Sequence, residues 1–203
     1  EYFDIDDAVF HYNFVEFTAG TDQRAKNTYP YSFCTAGSKW RWRLDDADTI
    51  FPIDNQGQDR KPYWCEMHDY YDNGQAIWNG ETSVFWNLLE QAFSAEITAG
   101  MHKMFAAMES LCDQSFGTPY DKAYAFYKKY FLGIKEYFPA TLVNADAKRY
   151  ELAKIAYDND SYSNDTDPIT QSHGDFYSAE TAWIQKRIMY IMSKYNYGLF
   201  SAN

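Results

Sequence analysis

TYPYSFCTAGSKWRWRL, residues 28–44, is the stretch on which the fold turns. Its second half alternates strictly, with Trp40, Trp42 and Leu44 on one side of an extended chain and Lys39, Arg41 and Arg43 on the other. That pattern is a half-buried strand. Gly37-Ser38 is a two-residue connection of the hairpin type, so Thr28 to Ala36 and Lys39 to Leu44 are expected to be the two arms.

Upstream, Ile5 to Thr18 carries Ala8, Tyr12 and Val15 beside Phe10, Phe14 and Phe17, a helical stripe. Asp6 and Asp7 suit its N-terminus and Gly20 closes it. Downstream, Asp45 to Gly80 is irregular and reads as a long ordered loop, because Tyr63, Trp64, Tyr70, Tyr71 and Trp78 need somewhere to bury. A helix is expected from Ser83 to about Leu111, broken near Gly100, followed by helices over 119–138 and 140–157 separated at Pro139. Residues 158–175 read as a polar surface loop. From Ser178 a long core helix carries Trp183, Ile184, Ile188, Ile191 and Met192 on a broad apolar face. The expected architecture is α+β and mostly helical, with one short β-hairpin near the N-terminus. At 203 residues, a single domain over 1–203 is the default.

Composition narrows the function classes. A net charge of −11 with a pI near 4.7 repels a phosphate backbone, and no Lys/Arg block offsets it, which disfavours nucleic acid as a partner. No stretch reaches the roughly 18 uninterrupted apolar residues of a membrane helix, so no membrane insertion is expected. The aromatic share of 20 % points instead to interfaces with other protein subunits, in a homo-oligomer or larger assembly. Cys34, Cys65 and Cys112 are odd in number and lack CxxC spacing, and are read as core or semi-buried thiols. Four scattered histidines give no ligand pair, so Glu66, His68, Asp69 and Asp72 read as structural or surface groups. Residues 54–59 match a calcium loop only in composition, and Met101, Met104 and Met108 read as core.

Two polar clusters flank the hairpin. Asp22-Gln23-Arg24-Ala25-Lys26-Asn27 follows the first helix, and Asp45-Asp46-Ala47-Asp48 follows the second arm. They are either solvated punctuation or a site. As a site, an Asp would orient or deprotonate a hydroxyl, an Asn would assist a metal, and the second acidic element would hold Mg²⁺ against phosphates. Clustered acids repel one another, and a divalent cation, Mg²⁺ or Ca²⁺, is the natural way to keep them side by side. The reading requires the hairpin to bring position 22 close to positions 46 and 48.

The run AVFHYNFVEFTAGTDQRAKNTYPYSFCTAGSKWRWRLDDADTIF, residues 8–51, resembles the C-terminal half of the CotH family of spore-coat and secreted kinase-like proteins, and VFWNLLEQAFSAEI, residues 84–97, is similar to the helical segment that follows there. The resemblance implies a kinase C-lobe-like helical domain. In it Asp22 is the catalytic-loop acid, Asn27 the metal-assisting amide and Lys26 a residue of the nucleotide site, with Asp46 and Asp48 forming the D-x-D that completes the metal set. ATP would then be the cofactor. The chain departs from the pattern at Asp45, where the family usually has Trp, and at Ile50, where a glycine is expected. A kinase would also need an N-terminal lobe with a phosphate-gripping Lys; because the chain opens on Glu1, it is read as a fragment of a longer protein.

HGDFYSAETAWIQKRIMYIMSKYNYGLF, residues 173–200, resembles a segment of large structural proteins of gut bacteriophages of the podovirus type. The two resemblances together imply a domain of a larger virion protein, tail or portal-vertex associated, serving as scaffold or host-contact module. The alternative is an active atypical protein kinase.

Overall fold

The computed structural model describes residues 2–20, 23, 27–45, 47, 50–52, 61–65, 71–72, 75–76, 84–113, 115, 117–131, 133 and 173–198. Its elements are α1 (Ile5–Thr18), β1 (Thr28–Tyr31), β2 (Arg41–Leu44), β3 (Tyr71–Asp72), β4 (Gln75–Ala76), α2 (Val84–Ser110), α3 (Pro119–Tyr130) and α4 (His173–Lys194). The protein is α+β and mostly helical, with a short antiparallel hairpin near the N-terminus. No helix among the described residues is long and apolar enough to cross a membrane.

Helix α1 has the bounds its sequence pattern predicts, and it is central rather than amphipathic. Asp4 caps it by accepting from the Asp7 N–H, and its last two turns are buried at every position but the half-buried Phe14, polar His11, Asn13, Glu16 and Thr18 included. Phe10 is the departure from the expected stripe, standing 58 % exposed.

Strands β1 and β2 pair antiparallel in the register Thr28↔Leu44, Tyr29↔Arg43, Pro30↔Trp42, Tyr31↔Arg41. Each is four residues long, shorter than the expected arms, and residues 32–40 form the connection. The reason is competition for β2: Trp40 leaves the ladder to bridge Phe3, donating to the Tyr2 carbonyl and accepting from Asp4 N–H, each at 2.9 Å. Trp42 N–H also points away from β1, donating to Asp7 Oδ2 at 2.7 Å. Pro30, opposite it, therefore faces the outer edge, where a missing N–H costs the ladder nothing. Within β2 the alternation of the sequence survives in burial, whereas Trp40, expected on the same side as Trp42, is 41 % exposed. Trp42 is buried while Arg41 and Arg43 are exposed.

Under the hairpin lies an aromatic layer. Trp42 packs on Phe3, Phe85 and Trp86, and Trp86 is stacked parallel to His11 with ring centroids 5.2 Å apart. Burial of His11 pushes its pKa down from 6.5 to about 4, against the raising influence of Gln23 backbone and Asp7, so the ring is a neutral core group.

Helix α2 supplies the second layer through Trp86, Leu89, Ile97, Met101, Phe105 and Met108. Its break falls at Phe93 (φ −132°, ψ 33°) and not near Gly100. Gly100 instead lies at the crossing with α1, where an added Cβ would stand 2.5 Å from Asn13 Nδ2 and 2.7 Å from Val9 Cγ1. Only hydrogen fits there.

Helix α3 opens on a capping box. Thr118 Oγ1 accepts from Asp121 N–H, the Asp121 carboxylate accepts from Thr118, and these bonds hold that carboxyl below its ordinary pKa. Pro119 occupies the first turn, where its missing N–H is harmless. Helix α4 starts at His173, five residues before the expected Ser178 and inside the expected polar loop, and presents Trp183, Ile184, Ile188, Ile191 and Met192 to the core.

Several expectations meet different outcomes in the connections. Tyr63 and Trp64 are 37 % and 48 % exposed, whereas their neighbour Cys65 is fully buried. Cys34 is exposed and Cys112 half-buried, so only Cys65 is a core thiol; none of the three is in a disulfide. A two-stranded β3–β4 hairpin interrupts the stretch expected to be a loop. Residues 54–59, Glu66, His68, Asp69, Tyr70, Trp78 and Ser83, the expected helix over 140–157, and residues 134–138 of the one before it lie outside the described residues.

Candidate functional site

The C-terminal end of α1 is where the expected site would be assembled, and its backbone accounts for the local shape. A helix leaves its last four carbonyls without intrahelical donors, and they form the negative pole of its dipole. Here each finds a donor from elsewhere in the chain. The N–H groups of Gly20 and Ala19 return to Val15 and Glu16, and Phe51 N–H donates to the Thr18 carbonyl at 2.5 Å. Lys61, only 2 % exposed, extends Nζ to the Ala19 carbonyl at 2.6 Å.

Arg187 completes this set from α4. Fully buried, its guanidinium donates to the carbonyls of Phe17 (3.2 Å), Tyr63 (2.7 Å), Cys65 and Glu16. The buried Glu16 carboxylate accepts from Lys194 Nζ at 2.9 Å, and Trp183 Nε1 donates to the Lys61 carbonyl at 2.6 Å. Two cations thus sit at the negative end of one buried helix, tying α1, residues 61–65 and α4 together.

Beyond this end, the chain turns through Gln23 into β1. Gln23 is buried under Gly20, where a Cβ would approach its Oε1 to 2.6 Å. Its backbone carbonyl accepts from Thr28 Oγ1 at 2.8 Å, and its Nε2 donates across the hairpin base to the Asp45 carbonyl at 3.2 Å. Gln23 adjoins Asp22, and Asp45 adjoins Asp46. The two polar clusters are therefore joined at the hairpin base, as the register Thr28↔Leu44 requires.

Of the expected site residues, Asn27 is described: it is buried, 9 % exposed, and enters β1 directly. Asp22, Lys26, Asp46 and Asp48 lie outside the described residues. The described neighbours offer a cation few charged oxygens. Gln23 and Asn27 carry amides, and the Asp45 carboxylate is 3.9 Å from Arg43. Among the described residues no three His, Cys, Asp or Glu side chains cluster as a metal site would need.

The residues that do the binding work here, Lys61 and Arg187, were not singled out as a site by the sequence. Arg187 had a readable signal. It falls four residues after Trp183 and four before Ile191, in the middle of the apolar stripe of α4, where a charge must find buried partners. Lys61 had none.

No family model matches the chain, and no curated protein or solved structure does either.

Proposed function

We propose that this chain is a CotH-like helical domain of a larger bacteriophage virion protein, tail or portal-vertex associated, whose role is to assemble with other protein subunits as scaffold or host-contact module. The observation that carries the reading is the outward face of the hairpin. Tyr29 and Tyr31 stand on it beside Arg43 and Arg41, their register partners, and Phe33 continues the line against the Tyr31 ring. Tyr29, Tyr31 and Phe33 are 47 %, 39 % and 73 % exposed. Tyrosine and arginine together are the residues that anchor protein interfaces, and a rigid two-stranded frame presents them with little ordering cost. The buried charges, by contrast, are spent on the core.

Sedimentation velocity over a concentration series tests the assembly role. The wild-type chain is expected to associate as concentration rises, and a Tyr29→Ser/Tyr31→Ser/Phe33→Ser variant to stay monomeric with unchanged circular dichroism. A wild-type chain that remains monomeric at every concentration, alone and with its virion partners, overturns the reading.

The Gln23–Asp45 hydrogen bond favours a second reading, an active atypical protein kinase. In it Asp22 is the base, Asn27, Asp46 and Asp48 hold Mg²⁺ or Ca²⁺, and Lys26 meets the ATP phosphates. ATP- and Mg²⁺-dependent phosphate transfer to a protein hydroxyl, abolished by Asp22→Asn, would establish it; its absence from the full-length protein would remove it.

A further inference from the structure

The hairpin is the basic segment of an acidic chain. Residues 28–44 hold Lys39, Arg41 and Arg43 and no Asp or Glu. Taking that +3 from the chain's −11 leaves −14 on everything else. Arg41 and Arg43 stand opposite Tyr31 and Tyr29 in the register, with side chains 50 % and 71 % exposed. Each has one carboxylate of its own neighbourhood, Asp4 at 3.1 Å and Asp45 at 3.9 Å. A guanidinium carries five donors, so each keeps others for a partner.

The ways in which a second molecule can meet this hairpin are few. An added strand needs an open ladder edge. Pro30 has no N–H to offer on the edge of β1, and Trp42 N–H on the outer edge of β2 is already bonded to Asp7 Oδ2. The contact therefore falls to the side chains of the exposed face. Two such faces meeting about a two-fold axis would set +3 against +3, which opposes pairing of like with like. The complementary charge lies elsewhere in the same chain. Residues 158–167, DNDSYSNDTD, carry Asp158, Asp160, Asp165 and Asp167, and no Lys or Arg occurs between Lys154 and Lys186. The acids of 4–7 and 45–48 are less suited, because they adjoin the hairpin and a neighbour offering them brings its own basic strand along.

We propose, on the assembly reading above, that the hairpin face receives the acidic stretch 158–167 of a second copy of this chain. The carboxylates meet Lys39, Arg41 and Arg43, and Tyr29, Tyr31 and Phe33 supply the apolar area. A contact between two different patches is heterologous, so copies join head to tail into a ring or filament rather than a two-fold dimer.

Sedimentation velocity on two full-length variants tests this. One, K39E/R43E, reverses charge at two exposed hairpin positions and leaves the Arg41–Asp4 pair in place; the other, D158N/D160N/D165N/D167N, neutralises the acidic stretch, and circular dichroism checks the fold of both. The wild-type chain is expected to associate past the dimer and each variant alone to stay monomeric. Their equimolar mixture is expected to stop at a dimer, since each brings one intact patch. Association of the wild type is also expected to weaken roughly tenfold or more from about 0.05 to about 0.5 M NaCl, a readout that needs no variant. Wild-type-like association of D158N/D160N/D165N/D167N, a wild type that stops at a dimer, a mixture that stays monomeric, or salt-insensitive association would each overturn the head-to-tail contact and leave the assembly reading standing. A wild type monomeric at every concentration overturns both, and if it then binds single-stranded oligo-dT through the hairpin, the face belongs to nucleic acid.

Discussion

Arg187 is a full charge on a side chain with no exposed surface, held by backbone carbonyls at the C-terminal end of α1. Removing such a group strands several buried acceptors at once, so Arg187→Met is expected to cost about 3–5 kcal/mol in urea denaturation. Arg187→Lys keeps the charge but loses the fork, and is expected to recover only part of that stability. His11 sets a pH dependence. Its pKa is about 4 in the folded protein against 6.5 ordinarily, so the unfolded chain takes up the proton first as pH falls. The contribution is whole above pH 6.5 and is lost progressively down to about pH 4, amounting to roughly 3 kcal/mol. The difference in unfolding free energy between wild type and His11→Leu, measured across that range, is expected to shrink as pH drops. The apolar stripe of α4 signals that Arg187 must find buried partners but not which, since Glu16 lies 171 residues away, and His11 carries no such signal.

Elements with purely local causes were legible to the residue. The bounds of helix α1 were read from its acidic first turn and from Gly20 just past its end, both sequence-near, although the cap is Asp4 and the left-handed residue is Ala19. The hairpin pattern assigned the faces of 41–44 correctly but made the arms overlong and misplaced Trp40, which is claimed by Phe3 and stands exposed, a competition that alternation alone does not reveal. Gly100 was read as a breaker because glycine weakens helices; its real constraint is the neighbouring helix. Gly100→Ala should gain up to about 1 kcal/mol from propensity. The clash with Asn13 and Val9 is expected to outweigh it, for a net loss of about 1–3 kcal/mol. Thermal unfolding of Gly100→Ala beside Ala99→Gly, its exposed neighbour, separates the two effects: the crossing predicts that both variants melt lower than wild type, and propensity alone predicts opposite shifts.

For the molecule as a whole, helix content and a short N-terminal hairpin followed from periodicity, and the path of the chain around α1 did not. What was legible is that the hairpin brings its two ends together, as Gln23 and Asp45 do. Its acids Asp22, Asp46 and Asp48 fall outside the described residues. What the fold exposes is a different resource, a tyrosine- and arginine-faced hairpin on an acidic body whose basic core residues are occupied internally. That exposed hairpin face is what supports the proposed role in assembly. Amide hydrogen exchange at low and high protein concentration tests it most directly: the account predicts slower exchange over residues 29–43 as concentration rises, abolished by Tyr29→Ser/Tyr31→Ser/Phe33→Ser. Exchange over that hairpin that stays the same at both concentrations, with virion partners added, would contradict it.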